Sequence, residues 1–206
     1  MLLSRRVFLG LSAVVAVVGV RSVAAATDQS AAPPVISRFY DELLAVMKVA
    51  KRLPFDERYS RLAPSVSRTF DLPLMTRLSV GPSWVQIGPP QQQRLTAAVS
   101  SYTISEYAAR FDDFAGERFE VAAGAPNANG VVVSTRLIKS NGEAIPLNYL
   151  MRQDASGAWK VIDVYLNGTI SEMAARRSEF ASVLQRSGAD GLAQLIEQRT
   201  AALRTG

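Results

Sequence analysis

Apolar residues recur at spacings of three and four in the first third of the chain, which is the period of one face of an α-helix. The first such stretch begins at Val35, and Pro54 is expected to end it because proline rarely continues a helix. Between positions 55 and 78 the pattern predicts two or three short helices, interrupted by Pro64 and Pro73.

A longer helix with one buried stripe is predicted over positions 89–111, after which the apolar period changes from about 3.6 residues to two. A period of two is typical of β-strands that are buried on one face. The Asn141-Gly142 pair predicts a tight hairpin, because both residues tolerate a positive φ. Such short turns imply an antiparallel meander. The four predicted strands cover positions 118–123, 131–139, 144–152 and 159–166.

These strands have one apolar and one polar face. Ser134, Arg136, Asn148 and Arg152 occupy the polar face of the central hairpin. The apolar positions predicted to share a face are Val133, Leu137, Leu147, Tyr149 and Met151 in the hairpin, and Ile162, Val164 and Leu166 in the last strand.

Helical spacing returns over positions 170–185 and, after a break at Gly188, over positions 190–203. The predicted fold class is therefore α+β, with an antiparallel sheet of about four strands and helices at both ends of the chain that can cover one sheet face. Periodicity does not distinguish a solid core from an apolar cavity, and an apolar stripe is by default interpreted as core.

Composition narrows the possible chemistry. The 206 residues include no cysteine and no histidine, which excludes disulfides, thiolate or imidazole metal sites and a Ser-His triad. We therefore expect no metal and no other cofactor. An enzyme becomes less favoured, although acid–base chemistry by carboxylates and tyrosines stays open.

The first 26 residues are predicted to be a signal peptide, with basic residues, an apolar run over 7–20 and a cleavage site after Ala26. Arg5-Arg6 fits the twin-arginine export motif, and general secretion is the alternative. We expect a flexible lead over 27–34 and a single periplasmic domain over 35–206. Without the three arginines of the signal, the mature chain has 20 basic against 18 acidic residues, which does not favour a nucleic-acid partner.

Several landmarks occur in a characteristic order along the mature chain. They are Phe39-Tyr40, Phe70-Asp71, Met75, Gly81, Trp84, Gln91-Gln92, Tyr107, the run Trp159–Gly168, Arg177, Glu179-Phe180, Leu184 and the run Gly188–Leu192. In order and spacing they resemble the MlaC, or toluene-tolerance, family of periplasmic lipid-binding proteins, and in particular its hopanoid-associated branch.

The resemblance implies a curved antiparallel sheet wrapped by helices around a deep apolar cavity that holds acyl chains, with the lipid head group near solvent. It implies a carrier for a phospholipid or a hopanoid-type lipid, with an inner-membrane ABC transporter and an outer-membrane lipoprotein complex as partners. The expected lipid-binding residues are Phe39, Leu43, Met47, Tyr107, Val133, Leu137, Leu147, Tyr149, Met151, Ile162 and Val164.

Two other functions stay open. In a small-molecule enzyme, Asp163 and a tyrosine could transfer a proton, although a structural acid paired with Arg136, Arg152 or Arg177 is favoured. In a protein adaptor, the core would be filled. The Arg176-Arg177 pair is expected on a solvated helix face, with lipid phosphate or a transporter subunit as the alternative partner.

Overall fold

A computed structural model of the chain describes residues 29–205. The predicted signal peptide and its cleavage site after Ala26 lie outside the described residues. The helices are α1 (Ala32–Met47), α2 (Phe55–Thr69), α3 (Leu72–Val80), α4 (Pro89–Arg110) and α5 (Glu172–Thr205). Short 3-10 helices cover Gln29–Ala31, Ala50–Arg52 and Gly81–Gln86.

Helix α1 begins earlier than expected, inside the segment 27–34 that was predicted to be a flexible lead. Residues Gln29–Ala31 form a 3-10 helix that leads into α1, and Ala32 is fully buried. Proline is no obstacle in the first turn of a helix, because the N–H groups there have no intrahelical acceptor to lose. Pro33 and Pro34 therefore start the helix rather than delay it.

The prediction that Pro64 would separate two helices is wrong, since Pro64 lies inside the continuous helix α2. Leu62 and Val66 on the same helix are buried, and this packing outweighs the local cost of proline. The break comes instead at Phe70-Asp71. The Asp71 N–H donates to the carbonyl of Val161 at 2.9 Å, so the chain between α2 and α3 is fixed to the sheet.

The five strands form one curved antiparallel sheet in chain order, which confirms the predicted α+β class. The strands are β1 (Arg118–Asn127), β2 (Gly130–Ile138), β3 (Ala144–Gln153), β4 (Trp159–Leu166) and β5 (Ile170–Ser171). The short β5 was not predicted, because two residues are too few for a periodic pattern.

A β-bulge in β4 changes which residues face the core. Leu150 pairs with Asp163 and Met151 with Val161, so Ile162 is an extra residue in the ladder. As a consequence Val161 and Val164, three positions apart, both pack into the core. The prediction that Ile162 and Val164 share a face is therefore wrong, because strict alternation fails at the bulge.

The apolar side chains form two clusters. The larger lies between α1, α2 and the sheet, and the smaller lies between α3, α4 and α5. Helix α5 turns back on itself at Gly188, which has φ 64° and ψ −171°. Glu179 and Arg199 form an ion pair across this turn, so the limbs 172–187 and 189–205 lie side by side. Among residues 29–205, no helix combines the length and apolar composition that a membrane span requires.

Candidate functional site

A small apolar cavity of about 70 Å³ lies within the larger apolar cluster, where α3, α4 and the first turns of α5 face strands β3 and β4. Its walls are largely apolar and aromatic, and charged side chains gather at one side. The lining residues are Phe70, Met75, Thr103, Glu106, Tyr107, Arg110, Leu147, Tyr149, Val164, Leu166, Glu172, Met173 and Arg176.

Four of the residues predicted to bind lipid line this cavity. They are Tyr107 on α4, Leu147 and Tyr149 on β3, and Val164 on β4. The two strands present these side chains to one face because Tyr149 pairs directly with Val164. Alternation in β3 therefore indicated the part of the wall formed by Leu147 and Tyr149, whereas in β4 it wrongly placed Ile162 on the face of Val164.

The remaining predicted residues lie elsewhere. Phe39, Leu43 and Met47 on α1 pack directly on the sheet, and they bury Val133 and Met151 beneath them. These five side chains are at most 4% exposed and form solid core, because α1 fills the space over this part of the sheet. The structure therefore does not bring them to the cavity.

Leu137 and Ile162 also lie away from the cavity. Leu137 is half-buried near the end of β2, between Phe119 and Ile145 on the neighbouring strands. Ile162 is the extra residue of the bulge and is buried outside the core cluster that contains Val164.

Several lining residues were not among the predicted site residues. Phe70 and Met75 belong to the family landmarks, and Leu166 shares the alternation of Val164. Met173 lies in the first turn of α5 and is buried. The signal for Phe70 and Met75 was therefore present in the order of the landmarks, although periodicity alone did not distinguish them from core.

A chain of buried hydroxyl groups runs from the cavity wall into the core. Tyr40 donates to Tyr149 at 3.0 Å, and Tyr107 lies beside Tyr149 on the cavity wall. Tyr40 also shares a hydrogen bond of 2.6 Å with Thr135. Burial is the main cause that raises the pKa of all three tyrosines above 10, so they remain neutral at physiological pH. Tyr165 on β4 is only partly buried and lies outside the cavity lining.

The charged side of the cavity is a cluster of two arginines and two glutamates, here called the mouth cluster: Glu106, Arg110, Glu172 and Arg176. Arg176 forms a close ion pair with Glu106, and its Nε lies 3.8 Å from Glu172. Arg110 also contacts Glu106, at 3.1 Å. The cluster joins α4 to α5 and is electrically balanced.

Arg176 corrects an expectation from the sequence, because it does not lie on a solvated helix face. Its side chain is only 11% exposed. The guanidinium lies 5.4 Å from the Tyr102 ring and donates to Thr103 at 3.4 Å. The neighbouring Arg177 points elsewhere and donates to the carbonyl of Leu78 at 2.9 Å, since successive helical residues diverge by about 100°.

Burial raises the pKa of the Glu172 carboxyl, and the adjacent Arg176 only partly opposes this effect. Removal from water therefore already disfavours negative charge in the mouth cluster. Any further negative group that enters must find a cation there.

Asp163 has a structural role. Its carboxylate accepts hydrogen bonds from the Ser171 hydroxyl at 2.5 Å and from the Met173 N–H at 3.1 Å. These contacts join β4 to the start of α5, where an acid is favourable because the N–H groups of the first turn lack partners. The partner expected for Asp163 was an arginine, but Arg136 instead pairs with Glu120. Within residues 29–205, no three acidic side chains gather as a metal site would require.

The remaining landmarks hold the helices around the cavity. Arg177 packs over Gly81, where a Cβ would come within 3.2 Å of the arginine Cδ. Gln92 donates to the carbonyl of Trp84 at 2.9 Å. Trp84 itself packs against the smaller apolar cluster, between α3, α4 and α5. Trp159 is buried in the larger cluster. Both tryptophans therefore act in packing rather than at the cavity.

The fold and cavity define a class of small α+β proteins in which a curved sheet and a helical layer enclose an apolar pocket with a charged mouth. The chain belongs to the MlaC protein family, whose model matches residues 37–198. No curated protein sequence matches this chain.

A solved structure with the same fold is the phospholipid-binding protein from Ralstonia solanacearum, determined in complex with a phospholipid. The two proteins are 25% identical and superpose with a TM-score of 0.73, over 84% of this chain and 98% of that one.

Proposed function

We propose that this protein is a periplasmic lipid carrier that shelters the acyl chains of a phospholipid in the cavity between α4, α5 and the sheet. The observation that carries the proposal is an apolar cavity whose charged groups are confined to the mouth cluster. Membership of the MlaC family and the phospholipid bound by the Ralstonia solanacearum protein support the same function.

The energetics favour such a ligand. Each methylene that leaves water contributes about 0.8 kcal/mol, so even part of one acyl chain binds without any ionic contact. Phe70, Met75, Leu147 and Met173 offer the apolar surface that this requires. No cofactor takes part in such binding.

Acyl chains need more room than the cavity now has, since pockets for ligands of moderate size measure about 300 Å³ or more. Helix α4 packs mainly against α2, α3 and α5 rather than against the sheet. Separation of α4 from β3 and β4 would therefore widen the cavity while the smaller cluster, between α3, α4 and α5, stays intact. We infer that lipid entry separates these elements.

The signal peptide over 1–26 would place the mature domain, 35–206, in the periplasm. There the protein would carry lipid between an outer-membrane lipoprotein complex and an inner-membrane ABC transporter. A hopanoid-type lipid is the alternative cargo. The acid–base enzyme has less support, because Asp163 is engaged by Ser171 and Met173 outside the cavity lining.

Native mass spectrometry of protein purified from the periplasm tests the proposal. We expect a bound species whose mass matches a phospholipid, and uptake of phospholipid from vesicles by delipidated protein. Protein that carries no lipid and acquires none from phospholipid or hopanoid vesicles would contradict a carrier function.

A further inference from the structure

We propose that Arg176 binds the phosphate of the cargo lipid, and that it makes the protein select phospholipids over uncharged lipids with the same acyl chains. This inference rests on the proposed carrier function and goes beyond it, because an apolar cavity alone would accept both kinds of lipid. It assigns head-group selection to one side chain of the mouth cluster.

The position of Arg176 suits this role. It lines the cavity, yet only 11% of its side chain is exposed. Tyr102 and Thr103 hold the guanidinium from the side of α4. A planar guanidinium held in place in this way can donate two parallel hydrogen bonds to a phosphate without first losing conformational freedom.

The mouth cluster also provides for an exchange of partners. Glu106 contacts both Arg176 and Arg110, so it keeps a cation at 3.1 Å when another anion takes its place on Arg176. A phosphodiester brings one negative charge and replaces Glu106 on Arg176. After the exchange Glu106 stays paired with Arg110, and Glu172 shares Arg176 with the phosphate. An uncharged lipid supplies no such replacement and gains nothing from Arg176.

Neither neighbouring arginine fits the role as well. The side chain of Arg110 is 58% exposed, so water weakens its ionic contacts. Arg177 donates to the carbonyl of Leu78 and packs over Gly81, outside the cavity lining. Arg176 is the arginine that combines burial, a fixed orientation and a place in the cavity wall.

A purely structural role for Arg176, joining α4 to α5 through Glu106, makes a different prediction. In that case loss of the arginine lowers thermal stability but leaves the order of lipid affinities unchanged. The two roles are therefore separated by lipid selectivity, which the strength of a helix contact does not affect.

The test compares delipidated mature protein titrated with phosphatidylglycerol, phosphatidylethanolamine and diacylglycerol, all with the same acyl chains, and read by native mass spectrometry. We expect wild type to prefer both phospholipids on the order of tenfold, the range given by hydrogen bonds to a charged group. Arg176→Gln should lose this preference. Arg186→Gln, at an exposed position on the same limb of α5, should keep it.

Glu106→Gln provides a second test that does not depend on the folding of Arg176→Gln. It removes the competing carboxylate and leaves the arginine, so phospholipid affinity should rise while diacylglycerol affinity stays the same. A folded Arg176→Gln protein with the wild-type preference would overturn the inference, as would lower phospholipid affinity in Glu106→Gln. Wild type that binds all three lipids equally also overturns it, whereas failure to bind any lipid removes the carrier function itself.

Discussion

The Tyr40 hydroxyl on α1 donates to the Tyr149 hydroxyl on β3 at 3.0 Å, and both side chains are buried. Because Tyr149 lines the cavity, this bond joins the cavity wall to helix α1 in the core behind it. The same Tyr40 hydroxyl also shares a hydrogen bond of 2.6 Å with Thr135 on β2.

Removal of the two hydroxyls should have unequal effects on the free energy of unfolding. Tyr149→Phe loses one buried hydrogen bond, at a cost of about 1 kcal/mol, whereas Tyr40→Phe loses the bonds to both Tyr149 and Thr135, at a cost of about 2 kcal/mol. Urea denaturation of the delipidated protein measures both. Equal costs, or a larger cost for Tyr149→Phe, would show that Tyr40 is not the shared member of the chain.

Glu172→Gln should stabilise the protein at neutral pH and have little effect near pH 4. Burial raises the pKa of Glu172 despite the nearby Arg176, and Glu106 adds to this effect, while Arg110 opposes it. For an acid with a raised pKa, the stabilisation is complete below the unfolded pKa and is lost as pH rises through the folded value. Glutamine resembles the protonated carboxyl. The stability of Glu172→Gln relative to wild type should therefore grow as pH rises from the unfolded pKa of the glutamate through its folded pKa.

Thermal unfolding at pH 4 and pH 7.5 measures this pH dependence. Glu143→Gln is the control of opposite sign, since Lys139 lowers the pKa of the exposed Glu143. We expect no gain in stability at pH 7.5 from that variant. If Glu172→Gln is less stable than wild type at pH 7.5, its contact with Arg176 outweighs the cost of burial.

Gly188→Ala should cost about 1–3 kcal/mol of stability, because a φ of 64° with ψ of −171° is accessible almost only to glycine. No atom lies within 4 Å of the position that a Cβ would take, so the cost comes from the backbone. Gly88→Ala is the matched control, since Gly88 has φ −67° and meets only the side chains of Gln91 and Pro90. An equal effect of both substitutions on the urea midpoint would argue against a backbone constraint at Gly188.

A bulky side chain in the cavity should block lipid uptake. Leu147→Trp fills space that the acyl chains would occupy and is expected to reduce uptake from phospholipid vesicles more than tenfold, with an overpacking cost of about 1–3 kcal/mol. Val85→Trp adds the same bulk at a position that is 77% exposed and should leave uptake unchanged. Normal uptake by Leu147→Trp would mean that lipid binds elsewhere.

Much of the fold follows from sequence periodicity, as in β3, where Leu147, Tyr149 and Met151 alternate along one face. In β4 the alternation fails at Ile162, where a bulge adds one residue and shifts the faces of the strand. The prediction at Pro64 was wrong for a related reason, since tertiary packing of α2 outweighs the tendency of proline to break a helix.

The site was less predictable than the fold. Phe39 and Tyr107 are both aromatic residues on the apolar face of a helix, and their ring centroids lie 5.3 Å apart. Tyr107 nevertheless lines the cavity, whereas Phe39 lies behind it in the core. Only the three-dimensional placement of α1 against the sheet separates the two cases. Burial of Arg176 was likewise hidden, because its partner Glu106 is 70 positions away on another helix.

Photocrosslinking tests the central claim most directly, that lipid tails occupy the cavity between α4, α5 and the sheet. A phospholipid with a diazirine in its acyl chain is loaded into the mature protein, irradiated and mapped by peptide mass spectrometry. We predict labels on Phe70, Met75, Leu147 and Met173, which line the cavity. Labels confined to the exposed outer face of the sheet, around Ser134 and Arg136, would contradict the account.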